Sequence, residues 1–349
     1  MTKQTVSGVF LSGLVAAGIA LLSGPSSAAT ELTVIVYGGS FEAGWKKAVI
    51  EPFEAANPDI KVRIATGLTM ETVAMMRAQK GDPKIDVVMM DEVGAAQANG
   101  EGLYAPLDVK SIPNMAKLYS QFRIAGDPYT KFMYVAQVMA YDKNKVKTAP
   151  QSYDDMWKPE YKGKIAIPDI NTTHGTMALM MAASMNGGSV GNIDPGFAAI
   201  KKLKPSILTF WNQHAQVSQL FTQGDIVMTT WTSDRAQGLI DSGGNIGWTI
   251  PKESAYIIDS TIGIAKGSKN LVAAQKYINF VLSEKAQEAN ARFTYLTPVN
   301  REAKLDPATA AKLPSGEATL KRLLTADWAA VTKDRPKWVD RWNREITTP

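Results

Sequence analysis

Short β-branched runs alternate with segments of helical periodicity along most of this chain, and that alternation constrains the fold more than any other feature. Leu32-Thr-Val-Ile-Val-Tyr37 has the composition of a buried strand and breaks at Gly38-Gly39. Ser40 can then cap a helix whose apolar positions Phe41, Trp45, Ala48, Val49 and Phe53 recur at helical spacing until Asn57-Pro58. Ile60–Ile64 predicts the next strand, Thr69–Lys80 a methionine-rich helix, and Ile85–Met90 a third strand ending on Asp91-Glu92. A β-α-β-α-β series of this kind implies a parallel sheet covered on both faces.

A second series follows Tyr134–Tyr141: strands at Lys164–Asp169, Ile226–Trp231 and Ile246–Ile250, helices at Thr176–Met185 and Phe197–Leu203. Beyond Asp259 come one more strand, Thr261–Ala265, and the amphipathic helix Leu271–Leu282. The chain has 349 residues, which suits two α/β lobes. The expected division is 30–137 with 261–349 as lobe 1 and 138–260 as lobe 2.

The N-terminus has Lys3, an apolar run from Val9 to Leu22, and small residues at Ser27 and Ala29. This is the pattern of a cleavable secretory signal over residues 1–29, too short to span a bilayer comfortably. The chain has no cysteine, which excludes disulfides, thiolate metal sites and a cysteine nucleophile. It also leaves no cysteine to carry a lipid, so the mature product is expected free in the periplasm. Losing Lys3 takes the formal charge from +5 to +4. Lysines and arginines are dispersed without an aromatic-laced basic cluster, which argues against nucleic acid as a partner.

In open α/β sheets, ligands sit beyond the carboxyl ends of the strands. Tyr37, Gly39, Ser40, Asp91, Trp231 and Asp259 all fall at predicted strand ends. Trp231 offers a π face to a cation, or else is a core tryptophan. Asp259 follows three apolar or aromatic residues, Tyr256 to Ile258, so its charge needs a partner, which a bound ammonium would supply. Arg235 can hold a carboxylate through two parallel hydrogen bonds, or can be a solvated arginine on a first helical turn. Asp91 adds a second anion or caps the following helix. Gly38-Gly39-Ser40 lets backbone N–H groups approach a ligand. Tyr256 and Tyr295 can wall the cleft. His174 and His214 lack metal-ligand spacing and a paired nucleophile, and neither a P-loop nor GxGxxG occurs. No cofactor is expected.

Several segments in shared order carry a family resemblance: Trp157-Lys-Pro-Glu-Tyr-Lys-Gly163, Gly224-Asp225 followed by Trp231, Pro251-Lys-Glu253 with Asp259-Ser260, Tyr277-Ile-Asn-Phe-Val-Leu282 and Tyr295-Leu-Thr-Pro-Val-Asn300. The chain resembles the solute-binding proteins of ABC importers, in the spermidine/putrescine-binding group with a type II periplasmic-binding fold. That resemblance implies an inner-membrane permease with its ATPase as partner, and a monomer that closes on its ligand. It also implies an amine site lined by Trp231, Asp259 and Tyr295. Thr173 stands where polyamine-binding relatives carry an acid, and Arg235 adds a cation, so a long dication is disfavoured. The expected ligand is an ω-amino acid such as 4-aminobutyrate, with putrescine or spermidine as the alternative. A secreted hydrolase and a ferric-iron binder are the remaining readings.

Overall fold

The computed structural model describes residues 29–347, so all of the expected signal segment except its last residue lies outside the described chain. Eleven strands follow in order: β1 (Thr30–Val36), β2 (Ile60–Thr66), β3 (Val87–Asp91), β4 (Tyr104–Ala105), β5 (Thr130–Asp142), β6 (Ile165–Pro168), β7 (Ile207–Trp211), β8 (Met228–Thr232), β9 (Ile246–Thr249), β10 (Ile257–Ala265) and β11 (Thr297–Pro298). Their hydrogen-bonded order is β2-β1-β3-β10-β5-β8-β6-β7, with β4 beside β10 and both β9 and β11 beside β5. In the first lobe β1 runs parallel to β2 and β3. In the second, β6 runs parallel to β7 and β8. This is the two-lobed type II arrangement.

Two strands knit the lobes together. The 13-residue β5 pairs with β10 through its first half and with β8 and β9 through its second. Strand β10 runs antiparallel to both β3 and β5. The reading of Asp259 as the end of one strand and Thr261–Ala265 as another is therefore corrected. Residues Ile257–Ala265 form one continuous strand with Asp259 inside it. Every residue of β10 is buried, and one apolar run interrupted by Asp-Ser does not by itself reveal that continuity.

The lobes are built from the expected material. Leu32, Val34, Ile35 and Val36 of β1 are fully buried, as a strand covered on both faces requires. The predicted helix after Gly39 is present but broken into Ser40–Trp45, a π-turn over Lys46–Ile50, and Glu51–Ala56. Gly39, at φ 71°, takes the cap position expected of Ser40, which becomes the first helical residue. Trp45 stacks on Phe41 and donates to the Tyr277 hydroxyl at 2.8 Å, tying this helix to Leu271–Val281.

The C-terminus departs from the expected division. Helix Trp328–Trp342 packs against helix Glu92–Gly100 of the first lobe. It also reaches the second lobe. Arg335 donates to the Thr176 hydroxyl (3.0 Å) and to the carbonyls of Ile170 and Asn171, while Trp342 meets Phe197 and Phe210 edge-on. Arg341 pairs with Asp194, and Lys201 with Glu345 at 2.6 Å. Residues past 260 thus do not belong to the first lobe alone, because Trp342, far beyond β9 in sequence, packs against Phe197 and Phe210 of the second.

Candidate ligand site between the lobes

The first lobe presents the ends of β1 and β3 to the cleft. The Tyr37 hydroxyl donates to Asp91 Oδ1 at 2.9 Å and lies 3.3 Å from Ser260 Oγ. The Asp91 backbone N–H donates to Thr69 Oγ1 at 3.2 Å, fixing the end of β3 against the helix Thr69–Ala78. From the second lobe the Thr173 hydroxyl donates to Asp91 Oδ2 at 3.0 Å. Asp91 therefore joins the lobes and, with two hydroxyl donors, carries no cation of its own among these bonds. Burial pushes its carboxyl up, the hydroxyl donors oppose this, and the charge of Asp234 adds to it. Burial and the adjacent Asp91 charge raise the Tyr37 phenol well above its ordinary value.

The second lobe contributes three helices that start beyond parallel strands: Thr173–Met185, His214–Gln223 and Ser233–Asp241. Arg235 lies in the first turn of the last, its Nε 3.4 Å from Asp234 Oδ2. Asp234 Oδ1 is buried and makes no hydrogen bond. The imidazoles of His174 and His214 meet edge-on with centroids 4.9 Å apart, and Trp211 lies 5.4 and 5.5 Å from them. Burial, then the Arg235 charge, lowers His174 to about 4. His214 is held well below its ordinary value by burial, then by His174 and Arg235.

Three of the expected site residues stand elsewhere than the sequence implied. Asp259 is 4% exposed and pairs with Lys131 Nζ at 2.7 Å, so its counter-charge comes from the protein. The same ammonium lies 3.8 Å from Glu92, whose other oxygen accepts from Tyr129 at 2.9 Å. The register explains this placement. Ser260 pairs with Asp91 and shares its face of the sheet, as the Tyr37 contacts show, so the next residue back along β10 points to the other face. Trp231 is 1% exposed, packs beside Phe221 and donates from Nε1 to His214 Nδ1 at 2.9 Å, so it presents no open face. Tyr256 lines an apolar hollow of about 30 Å³ inside the second lobe, with Tyr153, Trp157, Met177 and Met181.

Tyr295 does reach across the lobes. Left-handed at φ 57°, it donates to Asp241 Oδ2 at 2.7 Å, where Lys312 Nζ also pairs at 2.5 Å. The neighbouring Asp241 carboxylate raises the phenol, after burial, to about 12. Gly39 has open space around its α-carbon, as a backbone approach requires. The side chain of Ser40 lies outside the described part. Sequence reasoning missed Lys131, Asp234 and Asp241, and passed over the two histidines. Asp234 had a signal, being beside Arg235 at a strand end; Lys131 had none.

Among the described residues no cluster of three or more His, Asp or Glu is placed to hold a metal, and no helix is long and apolar enough to cross a membrane.

Two lobes joined by shared strands, with charged groups meeting in the gap, define a solute-binding protein. A profile for bacterial extracellular solute-binding proteins matches residues 48–315, and the chain belongs to that family. It is 25% identical over 340 residues to a gamma-aminobutyric acid-binding protein of Pseudomonas aeruginosa, covering 93% of this chain and 91% of the relative. It is also 25% identical over 341 residues to the thiamine-binding periplasmic protein of Escherichia coli, covering 94% and 97%. The crystal structure of an ABC transporter protein from Clostridium perfringens superposes with a TM-score of 0.77 at 28% identity, covering 90% of this chain and 100% of that one. The chain is a binding protein of the ABC-importer type, and its relatives differ in what their names say they bind.

Proposed function

We propose that the cleft captures a small zwitterion bearing an amine at one end and an acid at the other, an ω-amino acid such as 4-aminobutyrate. The carrying observation is the meeting of unlike poles: Asp91 on the first wall, and Asp234 with Arg235 on the second. A ligand ammonium suits the space between the two carboxylates, since it offsets the burial and then the Asp234 charge that raise Asp91. The acid end suits the Arg235 fork. This moves the amine pole from Asp259, whose charge Lys131 answers, to Asp91. The name of the Pseudomonas relative supports the same ligand class.

Function is then capture and delivery. Bonds from Thr173 to Asp91 and from Tyr295 and Lys312 to Asp241 hold the lobes together over a bound solute. The closed protein would dock on a membrane permease whose ATPase drives import, in the periplasm once the signal segment is removed. Calorimetry on the mature protein tests the ligand. Asp91→Asn should weaken 4-aminobutyrate by roughly 10- to 100-fold, the loss of one charge-assisted contact. Arg235→Ala should lose 4-aminobutyrate while gaining tolerance for putrescine. Tight putrescine binding by the unaltered protein, with 4-aminobutyrate silent, would remove the zwitterion reading.

A further inference from the structure

We infer that His174 and His214, beside Arg235, form the acid-receiving end of the cleft and take up a proton when a zwitterionic ligand docks. The inference rests on the zwitterion reading above and names the residues that set its acid end. His174 is the second residue of its helix, His214 the first, and Arg235 the third. Because β6, β7 and β8 run parallel, these helix starts gather on one side of the lobe with their partial positive charges together. Anions are favoured in such a place.

The rings are held in defined states. An indole N–H can only donate, so the 2.9 Å bond from Trp231 Nε1 makes His214 Nδ1 an acceptor and puts the ring proton on Nε2. Trp231 is thereby a positioning residue for His214. The backbone carbonyl of His174 accepts from Gln137 Nε2 at 3.0 Å, and the preceding Thr173 bonds Asp91 across the gap. His174 thus stands where the lobes meet.

Arg235 is the charge that acts on both rings; Asp234 lies beside it on the same helix, and Asp91 on the facing lobe is acted on by Asp234 in turn. With both carboxylates ionised, two negative charges face one guanidinium and leave an excess of one. The imidazoles cannot correct this in the empty site, because burial and Arg235 hold them neutral. A zwitterion adds no net charge, but its acid end would cancel the Arg235 charge that depresses them. His174 can then accept a proton, since both nitrogens of His214 are already engaged, bringing the sum to zero. A diamine adds two positive charges and leaves both rings neutral, so proton uptake distinguishes the ligand classes.

The chain has only two histidines, which makes the test direct. Proton NMR of the imidazole ring signals in the whole mature protein follows both titrations with and without saturating 4-aminobutyrate. The expected result is that one histidine moves up by about one unit or more on binding. Because the bound histidine is the more basic of the two states, affinity through this group should rise as pH falls from 8 towards the acid range. Acidification also weakens the Asp91 grip on the ammonium, and the ring signals report the imidazoles separately from that loss. His174→Asn and His214→Gln, with folding checked by melting, should weaken 4-aminobutyrate binding and lose the histidine-linked gain on acidification. Histidine titrations unchanged by bound 4-aminobutyrate would overturn this inference alone. Failure of every ω-amino acid to bind would overturn the reading beneath it as well.

Discussion

Removing Lys131 should cost fold stability. Its ammonium lies 2.7 Å from Asp259 and 3.8 Å from Glu92, and all three side chains are nearly enclosed. One oxygen of each carboxylate is already buried without a hydrogen bond. Burial pushes both carboxyls up, and Lys131 provides the principal offset. In Lys131→Met that offset disappears while the volume is roughly kept. Breaking a buried pair by removing one partner costs about 3–5 kcal/mol, or a melting-temperature loss of roughly 6–20 °C. The sign of the pH dependence follows from the raised carboxyls. A group with a raised folded value keeps its stability below the unfolded value and loses it as pH rises through the folded one. The deficit should therefore be full at neutral pH and shrink towards about pH 4, where the carboxyls are protonated. Thermal and urea melts by circular dichroism at pH 7 and pH 5 measure it, and adding Asp259→Asn should recover part of the loss. A variant melting with the unaltered protein at both pH values would refute the account of a buried ion cluster.

Asp241→Asn weakens a junction in which one carboxylate meets Tyr295, Lys312 and Gln237. At about 1 kcal/mol for a partly exposed pair, ligand affinity should fall roughly fivefold, and small-angle scattering should show a larger unliganded particle. Gly175→Ala would place a methyl 2.0 Å from the Asp169 carbonyl oxygen. The backbone must move, so stability should drop by roughly 1–3 kcal/mol or more and the displaced Thr173 and His174 should cost binding. Trp231→Phe removes the donor to His214 while keeping most of the buried ring; a stability loss of about 1 kcal/mol should accompany a His214 signal that titrates closer to its ordinary value.

Much of the architecture was legible locally. Periodicity located β1, β2, β3, β6 and β8 and the helices beginning near Ser40, Thr69 and Leu271, because a buried parallel strand and an amphipathic helix leave different apolar spacings. Strand β7, the helix His214–Gln223 and the C-terminal helix went unread. Phe210 and Trp211 sit among residues of mixed polarity, and the apolar face of Trp328–Trp342 is meaningful only beside Phe197 and Phe210.

What the sequence determined by itself was two α/β lobes and a set of polar residues at strand ends, since each depends on neighbours within a few positions. What the tertiary structure decided was which of those residues share a space. Asp91 and Asp259 look alike in sequence, each a carboxylate following an apolar run. Strand register turns Asp91 towards Tyr37 and Thr173, while Lys131, 128 residues away, meets Asp259 behind the sheet. The charge of Asp259 is answered inside the protein, whereas the bonds of Asp91 come from neutral hydroxyls facing the gap.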